Sequence, residues 1–359
     1  MVYGKRLLSV ILFVLIVSML MRLNNIRIRI ESKIHLTEKY QCLFLFRAQS
    51  YYFKYIFVIF STHMAGLISV LSIPSIFSVL DCTKSSETNG KAYRRYLATI
   101  YHAVTWMLFP LKPGSPAWKS IDQVRKIHSR VSKSCEHAIN AKILQKDLVL
   151  TQFAFVGYFA LIAEKYMTVE ECEDFYKSWI HFWRVNAHLM GTKEEYNLCT
   201  ENWPETRERL IIVKEKVFKP ALQETGNDFL HLAKTLINGL WYFSPNLTVD
   251  SVLFTTKWLA GCDGYQYNDS DFKNGATREN TKLIYKELSW YQRFLVSSNL
   301  YIINVLYKYM LVRWYFNFRI LLTVGMSYTI PLLAIIKFGV QHAYVRIFSM
   351  EMPKDIHTD

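Results

Sequence analysis

The sequence predicts an all-α protein, a helical body with membrane-seeking N- and C-terminal segments, on three observations. Hydrophobic residues fill 51% of the 359 positions and aromatics 15%, with only 13 glycines and 9 prolines, which suits long apolar helices better than short strands joined by turns. Where periodicity is legible it is helical: Ile121, Val124, Ile127 and Val131 recur at spacings of three and four. Apolar runs near both ends are flanked by Lys and Arg (Lys5, Arg6, Arg22, Arg27 and Arg29; Arg313, Arg319, Lys337 and Arg346), as in side chains that anchor at lipid headgroups.

No internal repeat is visible, and 42.3 kDa is enough for one main domain. The formal charge of +14 is scattered, with no zinc-finger, RNA-motif or helix-turn-helix signature, so anionic lipid is the expected partner and nucleic acid is not. Six separated cysteines without a CxxC pair exclude a zinc knuckle and read as small buried hydrophobes. Two sequons, at Asn246 and Asn268, point weakly to a lumenal face.

Taken in order, Lys5-Arg6 and the apolar run from Leu7 to Met21 have the layout of a signal anchor with no small-residue cleavage pattern, so residues 1–54 are expected to be an anchor or signal region. Tyr55 to Leu80 is apolar but interrupted by His63 and Pro74, which fits a membrane segment and a buried, pocket-lining helix pair equally. After a polar linker, Asp81 to Gly90, a helix carries Arg95 and Thr99 at i, i+4 on one face. Pro110, Pro113, Gly114 and Pro116 then turn the chain into the helix of Ser120 to Val131, where His128 borders the apolar stripe and Arg125 lies one turn below. A hairpin facing Arg95 and Thr99 toward Arg125 and His128 follows. On its own, a histidine at such an edge is more often a hydrogen-bonded core residue than a ligand.

Leu148 to Phe159, apolar except for Thr151 and Gln152 and with small Ala154 and Gly157, should be the most buried helix. Thr168 and Glu171 sign the start of a helix that runs to Gly191. Thr206–Phe218 and Asp228–Tyr242 fit amphipathic helices, and Gly261 to Thr277 an exposed loop. Residues 55–300 are therefore the expected catalytic domain and 301–359 a C-terminal membrane-associated segment. In the latter, Leu321 to Val340 around Pro331 is expected to form a membrane helix, or a membrane-embedded hairpin with the stretch before it.

Four blocks occur together in one order: Arg95-x-x-x-Thr99; Val124-Arg125-Lys126-Ile127-His128; Thr151-Gln152-Phe153-x-Phe155-x-Gly157; and His181-Phe182-Trp183-Arg184-Val185-x-x-His188-Leu189-x-Gly191, followed by Tyr196-Asn197-Leu198-Cys199. With this order and spacing, about residues 60–300 resemble the family of rubber oxygenases (latex clearing proteins) and the ER-bound oxygenase MpaB. The resemblance implies a globin-like helical domain holding haem b, with molecular oxygen as co-substrate. It places His128 as the proximal iron ligand and Arg95 and Thr99 on the distal side as catalytic residues. A neutral imidazole suits haem iron, and arginine suits propionates, a role open to Arg125 alongside a merely solvated one. The sequence departs from the latex-clearing pattern in carrying Ala98 where those members have lysine, and its nearest upstream acids are Asp81 and Glu87.

His181, Arg184 and His188 share a helix face but lack a carboxylate-rich partner, which favours a buried polar network over a metal site. Thr151 and Gln152 are expected to fix backbone or a ligand. The expectation is a membrane-associated haem oxygenase, placed at the endoplasmic reticulum, acting on a double bond of an apolar isoprenoid or lipid. The alternative is a non-catalytic membrane protein retaining the fold. A metal-dependent hydrolase using His181 and His188 ranks third.

Overall fold

Within residues 36–243, 248–272 and 283–347, which this computed structural model describes, every regular element is a helix. The first seven are α1 (Leu36–Lys54), α2 (Ile56–Leu71), α3 (Pro74–Cys82), α4 (Asn89–Leu108), α5 (Pro116–Ile139), α6 (Gln145–Ile162) and α7 (Val169–Met190). There follow α8 (Trp203–Val213), α9 (Lys219–Gln223), α10 (Asn227–Gly239), α11 (Val249–Ala260), α12 (Ile284–Glu287), α13 (Trp290–Asn304), α14 (Met310–Thr329), α15 (Leu332–Phe338) and α16 (Val340–Ala343). The all-α expectation holds; the run Leu7 to Met21 and the sequon at Asn246 lie outside the described residues.

Local chemistry sets the boundaries of the helices that matter most. Ser115 caps α5 by accepting from Trp118 N at 3.1 Å, with Pro116 as its first residue, where a missing N–H costs nothing. Thr168 caps α7 by accepting from Glu171 N, and Gly191 ends it at φ +103°, a left-handed conformation that favours glycine. Between α8 and α9, Lys214–Phe218 widen into a π turn. Pro220 accounts for it, having no N–H and a ring that would strike the carbonyl one turn back.

The core forms around α2 and α6. Twelve of the sixteen α2 residues are buried by other helices, which leaves it no face for lipid, so Tyr55 to Leu80 is the pocket-lining helix pair α2–α3. By length and composition one helix, Gln145–Lys165, could cross a membrane, or up to three if the bent pairs α1–α2 and α14–α15 each count as one span. Yet 61% of the most apolar window of Gln145–Lys165 is buried by protein. The segment around Pro331 is not one helix: α14 ends at Thr329 and α15 leaves at 65° to it, because Pro331 cannot donate to the helix ladder. None of the six cysteines is paired, and Cys135, Cys199 and Cys262 are buried like small hydrophobes.

Gly66 sets the distance between α2 and α6. A Cβ there would lie 2.3 Å from the Ala154 carbonyl oxygen and 2.6 Å from its Cα, both backbone atoms that no rotamer change can move. Gly66→Ala is therefore expected to destabilise the protein by about 2–3 kcal/mol, because the overlap outweighs the better helix propensity of alanine. Urea unfolding measures it; an unchanged midpoint would show that the helices are not in backbone contact.

Candidate active site

On α4, Arg95, Thr99, His102 and Trp106 recur at i, i+4, i+7 and i+11 and so share one face, and across the hairpin α5 presents Val124, Ile127, His128 and Val131. These two walls, closed by α2–α3, α6 and α7, surround a cavity of about 870 Å³, a size typical of small-molecule and cofactor sites. The cavity explains an oddity of α5. Beyond Ile121, which is buried in the core, its apolar stripe lines this space: Val124 and Val131 are half-buried and Ile127 is 37% exposed because they face it. Phe155 and Trp183, stacked at 5.5 Å, and Trp106, edge-on at 6.1 Å, make an aromatic wall.

Charge is distributed unevenly around the lining. Lys84, Lys91, Arg94 and Arg346 are its exposed cations, and Lys91 alone of these has an acid partner, Glu87 at 2.8 Å. Arg95 lies deeper. It donates to Ser86 Oγ at 3.3 Å and packs over the Tyr96 ring, but has no carboxylate partner among the described residues, and burial lowers its pKa. Among the described residues the only lining carboxylate is Asp147, and both its oxygens are engaged, by the Ser75 hydroxyl at 2.6 Å and Leu144 N at 2.8 Å. An apolar cavity with an unpaired, sunken guanidinium fits a ligand with an apolar body and an anionic group.

His128 Nδ1 is buried and has no hydrogen-bond partner, a condition that costs about 1–3 kcal/mol when no ligand relieves it. Burial first, and the Arg95 charge second, lower its pKa, so the ring is neutral at pH 7. His102, which also lines the cavity, is held differently. Ser120 Oγ lies 2.7 Å from His102 Nδ1 and accepts from Trp106 Nε1 at 2.9 Å. The indole can only donate, so donation from Ser120 to Nδ1 satisfies all three groups and leaves the His102 proton on Nε2. On α7, Trp183 Nε1 and Asn186 Nδ2 are buried donors without partners, one turn apart in the same lining.

The structure thus brings Arg95, Thr99 and His128 together. Thr99 Oγ1 donates its proton to Arg95 O at 3.2 Å, so it offers the cavity lone pairs and a methyl group rather than a donor. Arg125 stands apart from this group. It is exposed, absent from the lining, and donates to Leu189 O at 3.4 Å near the end of α7. His181, Arg184 and His188 do not form the buried network expected: His188 is exposed, and Arg184 pairs with Glu194 at 2.5 Å and Glu201 at 3.3 Å at the protein edge. The buried network lies one layer in. Gln152 donates to Asn197 Oδ1 at 2.8 Å and accepts from Leu198 N at 3.1 Å, fixing the chain after α7. Among the described residues no group of three His, Cys, Asp or Glu could hold a metal ion. Sequence reasoning passed over His102 and Asn186 and read Arg346 only as a headgroup anchor; His102 was detectable, as the next position on the Arg95–Thr99 face.

Two of these histidines give the protein an acid limit. Burial lowers both His63 and His102 to about 4, against an ordinary 6.5. Below pH 6.5 the unfolded chain takes up these protons and the folded one does not. Stability is therefore expected to fall by several kcal/mol between about pH 6.5 and 4 and to be flat above. His63→Gln should flatten part of that slope in pH-dependent urea unfolding; an identical slope would assign it elsewhere.

The fold and the site define an all-α protein built around a cavity that suits an amphiphile, with a neutral histidine in its wall and an arginine that has no carboxylate partner among the described residues. Residues 52–258 match the family model described as ER-bound oxygenase mpaB/B'/Rubber oxygenase, catalytic domain, and the chain belongs to this family, which makes it an oxygenase by class. The match begins earlier than residue 60 and ends well before 300, taking in the cavity walls from α2 to α7 and leaving out α13–α16. Neither a curated protein nor a solved structure gives a significant match.

Proposed function

We propose that this protein is a haem-dependent oxygenase acting with molecular oxygen on a double bond of an apolar isoprenoid or lipid, in association with the membrane of the endoplasmic reticulum. The observation that carries the haem is a pair on one cavity's lining: His128, neutral and with a ring nitrogen that has no hydrogen-bond partner, and Arg95, a half-buried cation without a carboxylate partner among the described residues. The lining fits haem b in its apolar walls, a candidate iron ligand, and exposed cations at Arg94 and Arg346 for two carboxylates. When bound, the haem supplies the iron centre at which oxygen is activated.

The chain's own residues have separable tasks. His128 would hold the iron of a bound haem, its ring kept neutral by burial. Arg95 is the donor that anchors or polarises an anionic group, while Thr99, its proton committed to Arg95 O, shapes the space beside it. Phe155, Trp183 and Trp106 exclude water and hold an apolar chain. The non-catalytic reading draws support from one feature, that Asp147, the only lining carboxylate among the described residues, has both oxygens occupied.

An absorption spectrum of the detergent-purified full chain, with and without dithionite and carbon monoxide, tests the proposal. A Soret band that shifts with both is the expected result. Its absence from folded protein made with ample haem would leave the non-catalytic reading.

A further inference from the structure

Seventeen of the twenty-four exposed large apolar side chains among the described residues lie between Trp290 and Tyr344, outside the family match, so this surface has a use that the oxygenase body does not require. Trp290 (75% exposed), Leu311 (76%) and Ile336 (81%) are typical of it. From Leu288 to Met350 the sequence holds no Asp or Glu and six Lys or Arg. None of the six (Arg293, Lys308, Arg313, Arg319, Lys337, Arg346) has a carboxylate partner among the described residues.

α14 shows how this surface is held. One side is fixed to the body: Asn317 accepts from Phe57 N at 3.2 Å and donates to Lys54 O at 2.8 Å, Arg313 packs over Tyr55, and Ile320, Leu321 and Val324 are buried. The other side, Met310, Leu311, Trp314, Tyr315 and Phe318, is exposed along one helical stripe. With one side of α14 pinned to the body and α15 leaving at 65° to it, the exposed stripe suits a helix lying along a lipid surface better than one crossing it. Tryptophan and tyrosine, which dominate the stripe with α13, favour the headgroup boundary.

Charge selects the occupant. A second copy of this face would bring its own six cations, and residues 1–35 of this chain bring six Lys or Arg and one acid, so neither complements it. An anionic bilayer does. The segment from Val340 to Arg346 then links surface to site: Val340 and Tyr344 are exposed with the apolar face, whereas His342, Val345 and Arg346 line the cavity.

We propose that residues 290–346 form an in-plane docking face for the headgroup–acyl boundary of an anionic bilayer, and that the cavity opens beside it at His342, Val345 and Arg346. The inference rests on the reading of the chain as a membrane-associated oxygenase of apolar substrates, which it supplies with a route from lipid to cavity.

The test uses the full chain with phosphatidylcholine vesicles, with and without phosphatidylserine, whose lipids carry bromine either near the glycerol or near the acyl tail. Shallow bromine should quench tryptophan fluorescence more than deep bromine, and Trp290→Phe with Trp314→Phe should abolish most of that quenching. Lys308→Gln with Lys337→Gln should weaken binding to phosphatidylserine vesicles on the order of ten-fold, with little change on phosphatidylcholine alone. Leu311→Glu with Ile336→Glu, at exposed positions that leave the core intact, should also lose the quenching. Stronger quenching by deep bromine would mean a spanning segment. Vesicle sedimentation without quenching would place the anchor elsewhere, in residues 1–35, and quenching relieved by a concentration-dependent dimer would make a second copy the occupant; each of these overturns the proposal. The haem band of the same samples reports on the oxygenase reading independently.

Discussion

His128→Ala is expected to purify without a Soret band while unfolding at or slightly above the wild-type midpoint. The two halves of this result have separate causes. Loss of the band follows if the ring holds the iron. Retained stability follows because the substitution removes a buried nitrogen that has no partner and puts a better helix former into α5. Loss of haem cannot then be assigned to loss of fold. Free imidazole should restore part of the band, since the cavity keeps its volume and the ligand is small. His102→Ala is the counterpart. It strips the Ser120 hydroxyl of its acceptor inside the protein, while Trp106 still donates to Ser120, and should cost about 1–3 kcal/mol. It should leave the band in place at low temperature. If His128→Ala kept its haem and His102→Ala lost it, the ligand would be His102 and the roles of the two rings would exchange.

The helices and the site were not equally legible in the sequence. Caps and stops are short-range signals, so Thr168 and Gly191 announced where α7 begins and ends, and the structure agrees; the prolines before α5 announced only a turn, and that helix starts earlier and ends later than Ser120 to Val131, at Pro116 and Ile139. Periodicity found the stripe of α5 but reports only that a face is apolar, not what lies against it. Ile127 and Val131 read as core and turn out to line a cavity. Arg125 was a candidate because it lies one turn from His128. Its side chain instead reaches the Leu189 carbonyl of a helix whose position no local pattern reveals. His342 and Arg346 enter the lining from more than two hundred residues beyond the α4–α5 hairpin, so only the folded chain could place them there. Composition and period alone would have stopped at a basic helical protein; the candidate iron ligand came from resemblance, and the structure adds Arg95, which has no carboxylate partner among the described residues, and the donors around it.

Arg95→Met is expected to stabilise the ligand-free protein by about 1–3 kcal/mol and at the same time to weaken its hold on haem. The guanidinium is sunk in the cavity wall with a single long hydrogen bond to Ser86 and a ring beneath it, too little to compensate an ion taken out of water. Methionine fills similar space without charge, and Ser86 still has Tyr96 within 3.4 Å. A cation set there at a cost to stability fits a ligand-binding role, because stability and activity trade against each other at functional sites. The signs of the two effects separate the possibilities. Greater stability with faster haem loss to apomyoglobin assigns the charge to a haem carboxylate or to the group bound beside the iron. Greater stability with unchanged haem retention assigns it to the substrate, whose binding should then weaken. Lower stability would mean that Arg95 has an anionic partner in the folded chain, and the case for an unpaired charge awaiting a ligand would fail. Arg95→Lys refines the first outcome: a carboxylate held by charge alone tolerates lysine, whereas one gripped by two parallel N–H donors does not.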